Sequence, residues 1–511
     1  MTLDFKTYKD KVLGCWWGKY AGGTLGAPFE CKRGVIDLDG YIQKNPRSIP
    51  NDDLDLQLVI LRACEKYGDK VDAQVLAEYW LSYISASLSE YGSAKRNLRG
   101  HIAPPLSGTF ANPNRNSCGA FIRSEIWACL CAGNPDIAVC YAYEDASVDH
   151  GEEGVYGEIF CAAVQAYAFI ESDIENLLKK GLQYIPENCG VARGVKTAMQ
   201  AYQEGKDWKK ARIAVLKEVP SSFGQRPYKG ISLEEDAKLP VAEHGYDAPG
   251  NVSLGVLGLL YGEKDFGKTI CIAAGCMEDA DCTAGFAGAT LGIMLGKRNL
   301  PERWLRPLGN EIAICSLRTD TDLMLPRTVE ELCERILRLT PVFLGVRGVD
   351  TLSKGEGYRV RVMSIPELLH IHAIRQMPPD LDNSPDFSFV RKRINNGVRF
   401  QGVLFDTTVF YKDGCSVRQG AEVTIEFEFW NKLYDPQLLE MHWYLPEGIE
   451  CVGGNFASVP LDQRHGGFNI AKREFMLKVN DISSVSIECL VSIKSVSRYL
   501  STYIPIILVC E

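Results

Sequence analysis

Apolar residues in the first two thirds of the chain recur every three or four positions. Leu58, Leu61 and Cys64 form one stripe, extended by Val59 and Ala63, and Gly68 closes it. That spacing predicts an amphipathic helix with a glycine stop. Val75, Leu76, Tyr79, Trp80 and Tyr83 predict another. Segments 122–132, 157–171, 191–203, 206–217, 251–261, 268–277 and 283–295 keep the same period, with Asn134-Pro135 and Gly262 as punctuation. Strand-like alternation is scarce before residue 335, so an all-helical domain is expected over residues 1–335.

The period changes to two near residue 395. Val423, Ile425, Phe427 and Phe429 alternate with Thr424, Glu426, Glu428 and Trp430. Phe475, Leu477 and Val479 alternate in the same way, as do Val485, Ile487 and Cys489. Turns at Asp413-Gly414, Pro446-Glu447-Gly448 and Gly453-Gly454 separate the runs. The expectation is an antiparallel, immunoglobulin-like β-sandwich over 395–511. Residues 336–394 are expected to be a linker or interdomain segment. Short strands are suggested at Tyr358, Val360, Arg361 and Val362, and a short helix or extended link over Pro366 to His372. A turn-rich stretch begins at Met377.

Composition narrows the setting. Hydrophobic residues make up 46% and charged residues 24% of 511, an ordinary globular mixture that excludes wholesale disorder. Asp and Glu number 65 against 56 Lys and Arg, a formal charge of −9. Such a chain is a poor general binder of nucleic acid or anionic membrane, but it suits divalent cations. The 18 cysteines are scattered in apolar runs, as reduced thiols packing as small hydrophobes are. The N-terminal segment is broken by charges and glycines, and no apolar run reaches the length of a membrane span. The expected setting is therefore the cytoplasm, with small-molecule or soluble substrates, no membrane partner and a homo-oligomer left open.

Two acidic segments precede predicted helices. Asn51-Asp52-Asp53-Leu54-Asp55 leads into the helix near Gln57, and Glu278-Asp279-Ala280-Asp281-Cys282 leads into an Ala- and Gly-rich one. Adjacent carboxylates repel unless something positive lies beside them. A helix N-terminus supplies some of that charge, so capping alone would account for the first cluster. In the second, Asp279 and Asp281 can turn toward one point, and oxygen ligands of this kind suit Mg2+, Mn2+ or Ca2+. Glu30 ends a glycine-rich opening and reads as a surface glutamate or a general base. Gly14, Gly18, Gly288 and Gly292 suit close helix approach. Gly22 to Gly26 reads instead as a loop or helix end beside a ligand. Lone His150 is more often structural, and Arg123 serves equally as an anion contact or an internal ion-pair partner. No nucleophile elbow, P-loop or dinucleotide fingerprint occurs.

Several segments together resemble the ADP-ribosylglycohydrolase family: Gly18 to Glu30, Asn51 to Leu56, Gly275 to Gly285, and Asn116 to Ala120 with Arg123, continuing through Asp145, His150, Gly151 and Tyr156. They occur in family order over roughly residues 8 to 310. The resemblance implies an all-α fold that holds two divalent cations, usually Mg2+, with Mn2+ as a substitute. Carried over, the ligands are Asn51, Asp52, Asp53, Asp279, Asp281 and Cys282. The implied catalytic residues are Glu30, Asp53 and Asp279. Gly22, Gly26, Asn116, Gly119, Arg123, His150, Gly151 and Tyr156 are the implied substrate contacts. The implied reaction is hydrolysis at the anomeric carbon of an ADP-ribosyl or related ribosyl group. A glycosidase for another sugar and a non-catalytic metabolite-binding protein are the alternatives. The sequence departs from the pattern at Gly23, where the family carries Asp, at Asn51 and Cys282, where it carries a hydroxyl residue, and at Leu54, where Thr is common.

Overall fold

Glycines at 14, 18, 22 and 26 are spaced by four, which puts them on one face of a helix. In the computed structural model the helix Phe5–Gly26 presents that face to the helix Ala280–Leu295. The structure describes residues 1–224, 226–227, 238–318, 323–352, 357–364, 368, 397–463, 469–482, 486–496, 498 and 500–510. A Cβ on Gly14, Gly18, Gly22 or Gly26 would collide with the backbone carbonyl of Gly292, Gly288, Ala284 or Ala280. Gly22 and Gly26 are therefore helical, with Gly26 the helix's last residue, and not in a loop. They extend the same close helix contact to its end.

The chain divides into two compact units, residues 1–93 with 111–389, and residues 94–110 with 390–511. The first unit is helical almost throughout. Its helices include Asp52–Tyr67, Ala73–Tyr83, Ser124–Leu130, Pro135–Ala146, Glu152–Ala168, Gly190–Gln203, Trp208–Glu218, Ala248–Tyr261 and Phe266–Gly275. Each predicted stripe overlaps one of these or, for 283–295, lies within Ala280–Leu295, although 122–132, 157–171, 206–217 and 268–277 overrun their helices by a few residues. Gly68 ends its helix at φ 59°, a conformation that suits a residue without Cβ. The stripe residues Leu58, Leu61 and Cys64 are fully buried. Burying one such side chain is worth about 1.5–3 kcal/mol.

The expected boundary at 335 falls inside a helix, Val329–Gly348. Pro341 does not end it, and the helical path breaks only at Gly345, φ 63°. The interdomain segment thus begins as regular structure. It continues as the strands β4 (Val349–Thr351) and β5 (Tyr358–Arg361), which join β1 (Thr2–Leu3) from the start of the chain in a small antiparallel sheet of order β1-β5-β4. β2 (Lys32–Arg33) pairs in parallel with β3 (Arg226–Pro227). The stretch from Met377 lies outside the described residues, as does nearly all of 366–372.

The second unit is strand-rich. It contains β6 (Val398–Phe400), β7 (Phe405–Tyr411), β8 (Ser416–Val417), β9 (Glu422–Asn431), β10 (Gln437–Tyr444), β11 (Ile449–Val452), β12 (Phe456–Leu461), β13 (Ile470–Val479), β14 (Ser486–Ser495) and β15 (Leu500–Cys510). Two five-stranded sheets form, in the orders β11-β13-β9-β7-β6 and β12-β10-β14-β15-β8. Inward residues of both share one core, with Trp443 edge-on to Phe427 and Phe475. The unit also takes in residues 94–110, whose Ala103 and Leu106 pack against that core. Val485 of the predicted alternation lies outside the described residues.

The helix contact yields a direct test. Gly18→Ala is expected to destabilise by about 1–3 kcal/mol or more, because the colliding atom is backbone. Gly40→Ala, with nothing within 4 Å of its Cβ position, is expected to stay within about 0.5 kcal/mol. Urea unfolding of the two variants checks the contrast.

Candidate functional site

The helix Asp52–Tyr67 starts at Asn51, whose Oδ1 accepts the Asp53 N–H at 2.7 Å. Asn51 is thus first a helix cap. Its amide nitrogen faces Gly23, where a Cβ would come within 2.9 Å. Capping turns Asp53 inward, where it is nearly fully buried. Lys19 Nζ lies 3.9 Å from Asp53 Oδ2 and 3.2 Å from Glu125 Oε2. Burial opposes its charge, yet Glu125 and Asp53 hold the ammonium above its ordinary value. Asp55 points elsewhere and accepts the backbone N–H groups of Cys315 and Ser316, each at 2.7 Å.

The second acidic segment is held more tightly. Met277 and Glu278 have φ of 58° and 64°, a left-handed conformation costly for residues with a Cβ. The Glu278 carboxylate fixes the turn. It accepts Arg33 Nε at 2.8 Å and the Gly224 N–H at 2.7 Å. Backbone bonds from Cys31 N to Glu278 O and from Glu278 N to Lys32 O tie the Glu30 segment alongside. Phe29, Met277 and Ala280 pack together beneath it. The Asp279 N–H donates to Asn251 Oδ1 at 3.1 Å, which sets the start of the helix Ala280–Leu295.

These two helix starts meet at one cavity of about 490 Å3. Its lining carries seven carboxylates: Glu30, Asp52, Asp53, Glu90, Asp247, Asp279 and Asp281. Two groupings of possible metal ligands arise there, Asp53–Asp281–Cys282 and Glu30–Asp279–Asp281. In each, one ligand atom per residue lies within 4.8 Å of the others. Asp281 belongs to both, and its buried Oδ1 has no hydrogen-bond partner. Cys282 Sγ donates to Asp53 Oδ1 at 3.3 Å.

Electrostatics bears on whether such a site suits a cation. Burial pushes the Asp53 carboxyl up to about 7, against the pull of Lys19 and with repulsion from Asp52. Burial, then Glu30 and Asp53, raise Asp279 well above the carboxylate range. Burial, then Asp53 and Asp279, do the same to Asp281. Glu30 is open to solvent inside the concavity, but the surrounding protein and then Asp52 still raise it. Burial raises Asp52 as well. An unpartnered carboxylate oxygen among repelling neighbours is what a divalent cation relieves, so the residues present fit one.

The other sequence-selected residues divide. Gly119 lines the cavity, where a Cβ would strike Glu90. Arg123 does not reach it. Fully buried, Arg123 donates to Asp149 at 2.8 and 3.1 Å and lies 3.2 Å from Asp145. It is an internal ion-pair centre. His150 is also buried, with Nδ1 2.9 Å from Asp149 Oδ1 and Nε2 3.0 Å from Ser117 Oγ. It stands behind the wall that Ser117 forms. Asn116 and Tyr156 line a separate recess, where Asn116 Oδ1 accepts the Glu153 N–H at 3.0 Å. Gly151 precedes the helix Glu152–Ala168 and donates to Arg115 O.

Glu90, Ser117, Cys118, His244 and Asp247 line the cavity without having been singled out. Asp247 carried a readable signal, an acid followed by Ala-Pro at a helix start, like the two acidic segments. It accepts Ser221 Oγ at 3.1 Å and the Ser222 N–H at 2.6 Å. Ser117 and Cys118 sit inside the Asn116–Ala120 segment, where the turn, rather than the motif, decides which side chains face inward.

A family profile described as ADP-ribosylglycohydrolase matches residues 4–342. The chain belongs to the ADP-ribosylglycohydrolase family. The match spans the helical domain and ends within the helix Val329–Gly348. No curated protein matches the chain. One solved structure, that of a FixG-related protein from Vibrio parahaemolyticus, aligns with 22% of this chain and 99% of that one, at 9% identity and TM-score 0.18. At that score it carries no argument.

Two measurements follow for this family member. Calorimetry with Mg2+ and Mn2+ is expected to show binding that an Asp53→Asn, Asp281→Asn double variant weakens by more than roughly 100-fold. Unchanged binding would refute the ligand set. In chelated protein, Asp53 titrates higher folded, at about 7, than unfolded, at about 3.9. The folded state then binds more protons, so stability is greatest below about pH 4 on this account and falls as pH rises to about 7. Melting temperatures in EDTA are expected to show that fall relative to Asp53→Asn, and saturating Mg2+ or Mn2+ to remove it.

Proposed function

We propose that this ADP-ribosylglycohydrolase family member is a divalent-cation-dependent hydrolase cleaving an N- or O-glycosidic bond at the anomeric carbon of an ADP-ribosyl or related ribosyl group. The observation that carries the reading is the convergence of Asp53, Asp279 and Asp281 from two distant segments on one cavity, with Glu30 at its solvent-open wall. Asp52, Asp53, Asp279, Asp281, Cys282 and Glu30 are the residues that would hold the cations, Mg2+ or Mn2+. When bound, the cations supply positive charge that fixes sugar hydroxyls and polarises an oxygen. The ring of carboxylates stabilises positive charge that grows on the anomeric carbon as the leaving group departs. Glu30, with its raised carboxyl, orients water on the open side and takes its proton. Ser117, backed by His150, offers a hydroxyl at the wall for a sugar or leaving-group oxygen. Gly119 leaves the wall flat where Glu90 approaches.

One observation favours a second reading, a glycoside without phosphate. Seven carboxylates line the cavity, and among its described lining residues there is neither Lys nor Arg to meet a diphosphate. The 18 cysteines stand as thiols rather than disulfides, which supports a reducing, cytoplasmic setting. Among the described residues no helix is long and apolar enough to cross a membrane. The sheet orders and the buried Trp443 support reading the second unit as an immunoglobulin-like sandwich.

The test is a panel of ADP-ribosylated peptide, ADP-ribose conjugates and neutral ribosides and glycosides, with and without Mg2+ or Mn2+. Cation-dependent release of the sugar is expected, with Glu30→Gln lowering kcat by about 100- to 10,000-fold. Turnover of the neutral members alone selects the second reading. Tight binding without turnover of any member overturns hydrolysis in favour of a metabolite-binding role.

A further inference from the structure

The two ligand groupings differ in chemistry. Glu30–Asp279–Asp281 offers only carboxylate oxygens, whereas Asp53–Asp281–Cys282 brings a sulfur. Both contain Asp281, whose buried Oδ1 is unpartnered. We propose that the cations of this site are unequal: Asp53–Asp281–Cys282 takes a thiophilic divalent transition ion such as Zn2+ or Co2+ in preference to Mg2+, with the Cys282 sulfur as ligand. The Glu30–Asp279–Asp281 grouping takes a hard ion such as Mg2+ or Mn2+. This rests on the reading of the cavity as the cation-dependent centre.

Three features carry it. Cys282 Sγ is already aimed at the carboxylate pair, 3.3 Å from Asp53 Oδ1, and is almost fully buried. No neighbouring hydroxyl replaces it, because Thr283 Oγ1 donates backward to the carbonyls of Ala280 at 3.1 Å and Ala273 at 3.4 Å. Asn51, the other non-acidic candidate, already commits its Oδ1 to the Asp53 N–H. The sulfur is thus the donor that distinguishes this grouping. Thiolate ligands favour Zn2+ and neighbouring transition ions over Mg2+, and the divalent series itself rises from Mn2+ to Cu2+. On coordination the S–H bond breaks. Its proton leaves to the solvent-filled cavity, and the sulfur lone pair forms the metal bond.

Cobalt reads this directly, since thiolate-to-Co2+ charge transfer absorbs in the near ultraviolet while carboxylate ligation does not. Full-length protein is chelated and then titrated with Co2+ in excess Mg2+. The expected result is a charge-transfer band saturating at one equivalent and indifferent to Mg2+. It is expected to vanish in Cys282→Ser and to persist in Cys415→Ser, which lacks an exposed thiol of the other unit. Co2+ affinity in Cys282→Ser is expected to fall by more than the roughly 10- to 100-fold that losing a supporting outer partner costs. Cys282→Asp is expected to restore divalent binding without the band and to let Mg2+ compete. Wild-type protein binding Co2+ without the band, or a band surviving Cys282→Ser, overturns the proposal. The wild-type spectrum decides even where a variant folds poorly. Mg2+-dependent turnover without the band sinks this inference alone. The band without turnover of any glycoside sinks the hydrolase reading alone.

Discussion

The structure of the first unit depends on how closely the helix Phe5–Gly26 lies against Ala280–Leu295. Four glycines at intervals of four on the first helix each face a backbone carbonyl of the second, at Gly292, Gly288, Ala284 and Ala280, so backbone meets backbone at each. Packing at that distance gains dispersion along two whole helices, but any methyl group pushes them apart. The functional consequence lies at the end of the contact. Gly26 meets Ala280, one residue after Asp279, and Gly22 meets Ala284, two after Cys282. The same helix carries Lys19 inward and hands the chain to Glu30. The contact therefore fixes the spacing between Lys19, Glu30 and the second acidic segment.

That rigidity is what makes the acid-rich cavity tolerable. Seven carboxylates around one concavity repel, and burial raises several of them further. A loose scaffold would splay them into water. Here Glu278, locked by Arg33 and the Gly224 N–H, prevents the loop before Asp279 from relaxing, and the positive φ at Met277 and Glu278 is maintained by those bonds. Repulsion is thus concentrated where a divalent cation would relieve it. Lys19 offsets only part of the charge, because it divides its ammonium between Asp53 and Glu125.

Much of this was legible in the residues, for reasons that differ by element. The stripes of Leu58, Leu61 and Cys64 and their counterparts gave helices because one buried face is enough to fix a period. The alternation from Val423 to Phe429 did the same for β9. The acidic segments were legible because a carboxylate at a helix start is conspicuous. The boundary at 335 was not, since the helix Val329–Gly348 runs through it, carries Pro341 without ending and breaks only at Gly345. For Gly22 and Gly26 only the helix-end half of the reading holds, since their spacing continues that of Gly14 and Gly18 to the last residue of the helix. Runs of glycine suggest loops, and only the partner helix shows that each one faces a carbonyl.

Arg123 and His150 show the sharper limit. Family order places both among substrate contacts, yet a position in a motif does not state which way a side chain points. Asp145, Asp149 and Glu158 lie far along the chain from Arg123 and converge on it only when the helices Pro135–Ala146 and Glu152–Ala168 fold against it. A guanidinium facing three carboxylates at zero exposure is committed to the interior and does not reach a ligand in the cavity. Its influence on the cavity is transmitted: Arg123 holds Asp149, Asp149 faces His150, and His150 meets the Ser117 hydroxyl at the wall. Burial opposes the charge on Asp149, but Arg123 and then His150 keep its carboxyl below the ordinary range. The motif records residues that build the wall as well as residues that touch what lies inside it, and burial separates the two.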